Sequence, residues 1–471
     1  MLPGQPPLRA FTLGLLAGTI YFAGTIYWTG TVIITFGDVN PIVAMVGMLL
    51  LSAYLALYPA TAGLVTSWLV ARAGSAGLFI APMAWVATEY LRGYFFTGFP
   101  WVPLGNSQVT VLPVAQLASV LGVYGLSALV VYINATLVFA LLTTGRRRAA
   151  AVAAAFVVLV AVGGWGAWRI ADGSLTRSGT PIRIGLIQGN IAQEDKWNPA
   201  HARRIFTTYI AMTRDAVRRG AQYVIWPESA TPFSFEDPRD SPEGTGAVRD
   251  LSREVRVPML IGSDQVIRRE PVTESELYNA AFQLDPDGNT VAVYRKIKLV
   301  PFGEFFPFQR WIAFAAPLVQ RFVPFSAGEG PVLLPVGPHR ASTAICYEVV
   351  FPALARDAVA RGSELLTTVT NDGWYGYSSA PYQHWEMAAM RAIEQGRYLA
   401  RAANTGISGI VDPYGRVVVR SGIFEQAGLV GEARFLTGRT IYSLIGDAIA
   451  WVAIALTVLA AIIARGHRGS R

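Results

Sequence analysis

The chain has 471 residues, enough for more than one core-forming domain, and is 52% hydrophobic but only 15% charged, against about 25% charged residues in an ordinary soluble domain. Its net charge of +8 does not point to nucleic acid, because the basic residues cluster where membrane topology wants them, at Arg146, Arg147 and Arg148 and at Arg465, Arg468 and Arg471. One cysteine excludes an internal disulfide and a cysteine-rich zinc or iron–sulfur site, and the four histidines (His201, His339, His384, His467) are too scattered to suggest a metal cluster.

Five apolar stretches, at about 11–34, 42–70, 75–96, 113–142 and 149–168, precede the acidic part of the chain, and a sixth runs from about 445 to 464. Each approaches the roughly 20 residues that a membrane helix needs. The first is preceded only by Arg9 and lacks a convincing cleavage site, so it reads as a retained span and not a removed leader. In the third, Glu89 and Arg92 stand three apart and are spaced to pair on one helical face. The arginine loop at 143–148 and the arginine-rich C-terminus read as cytoplasmic. Counting spans from either anchor puts the N-terminus in the cytoplasm and residues 170–440 on the far side. The 97–112 stretch falls on that outer side, with Phe99 and Trp101 suited to a membrane boundary. The expected division is a membrane domain of about five helices over 1–170, a catalytic domain over 181–437, a transmembrane helix over 443–465 and a basic cytoplasmic tail over 466–471.

From 181 onward the rhythm changes. Strand-like runs at Arg183–Gln188, Gln222–Trp226, Met259–Gly262, Thr290–Tyr294, Ala341–Ile345, Leu365–Thr370 and Gly409–Val411 alternate with helix-like stretches near 200–219, 246–255, 353–361 and 384–396. Such alternation predicts an α/β domain, whose chemistry sits where strands end and loops begin. Three reactive residues meet that expectation: Glu228 after AQYVIW, Lys296 after TVAVY, and Cys346 directly after ASTAI. A thiol attacking an acyl carbonyl must lose its proton, which a carboxylate takes, and the resulting oxyanion needs a donor, which an ammonium supplies. Glutamate as base, lysine as charge stabiliser and cysteine as nucleophile therefore form a complete acyl-transfer set without histidine. Each residue has a plainer alternative: a buried apolar cysteine, a glutamate favouring a helix N-terminus, a solvated lysine beside Arg295 and Lys298. Joint placement after three strands favours the chemical reading.

The segments EYLRGYFFTGFPW (89–101), IQGNIAQEDKW (187–197), WPESATP (226–232), KLVPFGEFFP (298–307), ICYE (345–348), NDGWYG (371–376) and QHWEMAAMRAIEQGRYLARAANTGISG (383–409) resemble the nitrilase, or carbon–nitrogen hydrolase, superfamily and, more closely, the apolipoprotein N-acyltransferase family. The likeness extends over nearly the whole chain. It implies an α-β-β-α nitrilase-like sandwich outside the membrane, joined to a polytopic helical domain in a bacterial inner membrane, with the catalytic side periplasmic. It also implies that Glu228 is the general base, Lys296 the oxyanion stabiliser and Cys346 the nucleophile. Glu304 resembles the family's further essential glutamate, Tyr347 and Glu348 match the residues after the nucleophile, and Trp197 matches a tryptophan the family needs. The Tyr347 N–H is expected as a second oxyanion donor. Trp197 and Tyr347 also fit simple packing roles. The family usually carries two additional apolar helices at its N-terminus, and this chain starts at what resembles the third. Removing two leaves the orientation unchanged.

The implied reaction is ping-pong. Cys346 takes an acyl chain from a phospholipid, and the α-amine of a diacylglyceryl-cysteine at an apolipoprotein N-terminus then accepts it, with no metal or organic cofactor. A lipid substrate has independent support: residues 301–325 hold seven phenylalanines and a tryptophan, an apolar load suited to an arm that dips into lipid or covers acyl chains. The alternatives are an internally packed loop for this stretch and, for the protein, a membrane-tethered amidase or nitrilase or a non-catalytic lipid-binding protein. No G-x-S-x-G segment is present to support a serine hydrolase.

Overall fold

In the computed structural model, residues 6–37, 39–196, 198–268, 275–307 and 324–466 are described. The chain forms two compact units. One comprises residues up to Gly173, Tyr375–Glu386 and residues from Thr440; the other comprises Ser174–Trp374 and Met387–Arg439.

The first unit is helical. Among the described residues, five helical stretches are long and apolar enough to cross a membrane: Pro7–Thr25, Pro41–Arg92, Ala118–Leu142, Gly145–Arg177 and Ala448–Arg465. The expected first span divides. Pro7–Thr25 ends at Ile26 and a separate helix, Trp28–Gly37, follows. Ten residues rise only about 15 Å, half a hydrocarbon core. The break turns Trp28 inward, where it is 5% exposed and its indole N–H donates to Gln383 Oε1 at 3.3 Å. Pro41–Ala73 ends at Gly74, and the chain continues through a 3₁₀ turn, Gly74–Ile80, into Ala81–Arg92. The helix Ala118–Leu142 is broken at Gly122, whose φ of +66° and ψ of −175° only glycine adopts comfortably. A Cβ there would stand 2.5 Å from the Tyr442 ring.

Two sequence expectations change in this unit. Glu89 and Arg92 make no ion pair with each other among the described residues. Glu89 Oε1 accepts from Leu104 N at 2.7 Å and from Trp85 Nε1 at 3.2 Å, whereas Arg92 Nη1 donates to the Trp101 carbonyl at 3.0 Å. The loop folds back so that its Leu104 N–H meets Glu89 and its Trp101 carbonyl meets Arg92, while Glu89 Oε2 is buried without a hydrogen-bond partner among the described residues. Trp101 packs inside the protein: it is fully buried, and its Nε1 donates to Gln383 Oε1 at 2.7 Å. The exposed aromatic residues of that region are Tyr94, Phe95 and Phe96.

The second unit holds two six-stranded sheets. The strands are β1 (Thr180–Gln188), β2 (Tyr223–Ile225), β3 (Met259–Ile267), β4 (Glu276–Leu284), β5 (Thr290–Arg295), β6 (Leu334–Val336), β7 (His339–Ile345), β8 (Leu365–Thr370), β9 (Leu399–Ala403), β10 (Gly409–Val411), β11 (Val417–Arg420) and β12 (Ala427–Phe435). One sheet runs β12-β1-β2-β3-β4-β5 and the other β11-β10-β9-β8-β7-β6. In each the centre is parallel, β1-β2-β3 and β7-β8-β9, and the flanks are antiparallel.

Period-two patterning builds the layers. Tyr223, Ile225 and Leu260 point into a core shared with Ile345, Leu365, Val369 and Ala400 of the other sheet. Their neighbours Val224, Trp226, Met259 and Ile261 point the opposite way, against Ile205, Tyr209, Val248 and Leu251 of the helices Pro199–Arg218 and Pro242–Val255. A residue's parity along the strand thus decides which layer it fills. Pro352–Ala360 lies against β7 of the second sheet, completing the expected α-β-β-α sandwich.

Candidate active site

The ends of β2, β5, β7 and β8 bring the candidate residues together. Glu228 lies three residues beyond β2, Lys296 directly follows β5 and Cys346 directly follows β7. They are 6%, 1% and 5% exposed. Lys296 Nζ stands 2.7 Å from Glu304 Oε1 and 3.6 Å from Glu228 Oε1. Burial lowers the Lys296 pKa, but the Glu304 and Glu228 carboxylates, with Cys346, overcome that penalty and carry it well above the ordinary lysine value.

Glu304 joins the cluster through the turn after Lys296. Its Oε2 accepts from Val300 N at 2.8 Å, and its own N donates to the Val300 carbonyl at 2.9 Å. Glu348 bonds to main chain instead. Its Oε1 accepts from Ile297 N at 2.6 Å and Lys298 N at 3.0 Å, and its Oε2 from Ile345 N at 2.7 Å and the Tyr294 hydroxyl at 2.9 Å. One carboxylate therefore ties the chain after Lys296 to the chain before Cys346. Burial pushes the Glu348 pKa up, against those backbone donors. Tyr347 is 5% exposed, with its ring edge-on to Phe351 at 5.1 Å. Trp197 lies outside the described residues, as do 308–323 of the aromatic stretch.

Cys346 opens a 3₁₀ turn, Cys346–Val350, with φ of +52°. A left-handed non-glycine residue costs about 1–3 kcal/mol and persists only where its surroundings fix it. Burial, and next the Glu228 charge, push the Cys346 thiol up to about 12, opposed by Lys296. A free thiolate at neutral pH would cost on the order of 7 kcal/mol. Burial thus favours the thiol form of Cys346, with Glu228 and Lys296 acting on it in opposite directions.

Four residues of this site escaped the sequence reading. Asn279, on β4 opposite Lys296, donates through Nδ2 to Glu228 Oε1 at 2.7 Å and Glu304 Oε1 at 3.1 Å, bridging two carboxylates that would otherwise repel. Asn371, after β8, donates its backbone N–H to Glu228 Oε2 at 2.8 Å. Lys196 Nζ donates to the Glu228 carbonyl at 3.1 Å, and Asp264 accepts from Ser229 Oγ at 3.0 Å. Asn279 belongs to ELYNAAFQL, which lacks a strand-like pattern; Lys196 and Asn371 lie in segments singled out for other residues.

Two family models match the chain. Residues 183–433 match the carbon–nitrogen hydrolase model, and residues 2–136 match the apolipoprotein N-acyltransferase N-terminal domain. The apolipoprotein N-acyltransferase of Geobacter metallireducens is 36% identical over 469 residues, covering 98% of this chain and 88% of the relative. That of Methylococcus capsulatus is 37% identical over 412 residues, covering 86% and 77%. A solved amidase of the nitrilase superfamily, from Nesterenkonia, is 22% identical with a TM-score of 0.41, over 55% of this chain and 92% of that one. With both family models matched in order and relatives aligned along most of their length, the chain belongs to the apolipoprotein N-acyltransferase family of the carbon–nitrogen hydrolases.

Proposed function

We propose that this family member moves an acyl chain from a phospholipid to Cys346 and from there to the N-terminal α-amine of an S-diacylglyceryl-cysteine on an apolipoprotein. The observation that carries the reading is the Glu228–Asn279–Glu304–Lys296 cluster, bonded at 2.7–3.1 Å, of which Glu228 and Lys296 act electrostatically on Cys346.

In the first half-reaction Cys346 Sγ attacks the ester carbonyl of the phospholipid while its proton passes to Glu228. The charge developing on the carbonyl oxygen is met by the Lys296 ammonium and the Tyr347 N–H. Collapse breaks the ester C–O bond, and Glu228 returns the proton to the departing lysophospholipid oxygen. In the second half-reaction the neutral acceptor amine attacks the thioester carbonyl and its proton passes to Glu228. The C–S bond breaks, the sulfur recovers a proton from Glu228, and an amide and the free thiol result. Glu304 and Asn279 hold Lys296 and Glu228 in one geometry, and Glu348 fixes the turn that carries the sulfur. Trp197 is kept as a supporting residue on family resemblance alone. In this reading the chain is a multi-pass protein of the bacterial inner membrane with its catalytic unit on the periplasmic side. Both lipid-anchored substrates then reach it by lateral diffusion.

The test is intact-mass analysis of the purified full chain after incubation with phospholipid vesicles. One acyl mass is expected on Cys346, released on adding a diacylated lipopeptide with a free amine. Release to water at the same rate without lipopeptide, together with hydrolysis of small amides, would establish a tethered amidase instead.

A further inference from the structure

Lys196 has no part in the mechanism above. It lies in the turn after β1, is 4% exposed, and makes its hydrogen bond to the Glu228 main-chain carbonyl at 3.1 Å. The peptide it holds is a constrained one. Ser229 has φ of +42°, its hydroxyl is bound to Asp264, and Ala230 N donates to the Gly262 carbonyl at 2.7 Å. A Cβ on Gly262 would stand 2.2 Å from the Pro227 carbonyl oxygen, so residues 227–230 rest directly on the β3 backbone. A buried ammonium spent on a neutral carbonyl is costly unless nearby anions compensate. Here they do: the carboxylates of Glu228 after β2 and Asp264 on β3 favour its charged form.

Resting on the acyl-transfer reading above, we propose that Lys196 is a positioning residue for that reaction, whose ammonium fixes the Glu228 main chain and supplies a second buried positive charge beside the Cys346 thiol. Lys296 is engaged by two carboxylates, whereas the Lys196 hydrogen bond leaves the Glu228 side chain untouched. The two lysines therefore divide the work. Lys296 faces the reacting carbonyl, and Lys196 holds the base in place from its own backbone. Burial brings the Lys196 pKa down to about 8, and the Glu228 and Asp264 carboxylates keep it from falling further. Its charge is present below that pH and lost above it.

The experiment measures single-turnover formation of the Cys346 thioester by the full chain in detergent micelles containing phospholipid, from pH 6 to 9.5. Lys196→Met should slow thioester formation about 10- to 100-fold, the scale of one charge-assisted hydrogen bond, with half-saturating phospholipid unchanged. Lys196→Arg, which stays charged, should retain most of the rate and move the falling alkaline limb to higher pH. A wild-type rate in Lys196→Met overturns the proposal, and so does Lys196→Arg with the limb unmoved. Should Lys196→Met not fold, the Lys196→Arg limb decides alone. If the wild-type chain forms no thioester, the acyl-transfer reading itself fails. Iodoacetamide alkylation of Cys346 then reads Lys196: slower labelling in Lys196→Met below pH 8 supports the positioning role, and equal labelling refutes it.

Discussion

Replacing Glu228 by Gln has two consequences of opposite sign. The carboxylate is proposed to take the thiol proton during attack, yet its charge is also a main reason, after burial, that the Cys346 thiol stands near 12. Glu228 Oε1 lies 3.6 Å from Lys296 Nζ, an attraction of about 5 kcal/mol at an effective dielectric of 20. Removing it leaves the ammonium to act on the sulfur with less opposition. Losing one nearby carboxylate charge moves a pKa by about 1–3 units, so the thiol should fall to roughly 9–11. At pH 8 the thiolate fraction then rises about 10- to 1000-fold. Acyl transfer should meanwhile fall about 10²- to 10⁴-fold, the range of a lost general base. The assay pairs the pH dependence of iodoacetamide alkylation with thioester formation from phospholipid, on the same preparation. A Glu228→Gln protein that alkylates with an unchanged or higher midpoint would refute the assigned electrostatics. One that acylates at the wild-type rate would refute the role of base.

Three other outcomes follow from the geometry. Glu348→Ala strands three backbone N–H groups and a tyrosine hydroxyl; thioester formation should drop at least about 100-fold, with partial recovery in Glu348→Gln, which keeps acceptor capacity. Gly122→Ala combines a glycine-only backbone with a 2.5 Å approach to Tyr442. It should cost about 2–5 kcal/mol, read as a lower thermal-inactivation midpoint in detergent. Burial raises the Asp264 pKa to about 6, so the folded state keeps a proton that the unfolded chain releases near pH 4. This group's contribution to stability therefore falls as pH rises from about 4 to 6, by on the order of 3 kcal/mol. Asp264→Asn should flatten that part of the stability profile, and an unchanged profile would refute the assignment.

The parts of the fold legible in the sequence are those that local pattern dictates. All seven expected strand runs fall on observed strands; five of them, β1, β2, β3, β7 and β8, belong to the parallel centres, whose strands carry continuous apolar runs bounded by polar turns. Missed strands such as β4 and β9 are poor in β-branched residues and rich in alanine and polar groups; their pairing partners, not their own propensity, make them strands. Arg401 on β9 illustrates this, being fully buried because Asp372 stands 2.7 Å away. The membrane helices were legible as apolar runs, but their interruptions were not. The break at Ile26 and the turn at Gly122 answer to Gln383 and Tyr442, contacts hundreds of residues away in sequence. Glu228, Lys296 and Cys346 announced themselves by position after strands. Asn279 and Lys196 did not, since their value lies in the groups they hold.

The most direct measurement is the mass of Cys346 after the full chain meets phospholipid. Acyl transfer through this sulfur predicts one acyl chain in thioester linkage on it, absent in Cys346→Ala and discharged by a diacylated lipopeptide amine. An unmodified Cys346, or an acyl adduct that persists in Cys346→Ala, would contradict it.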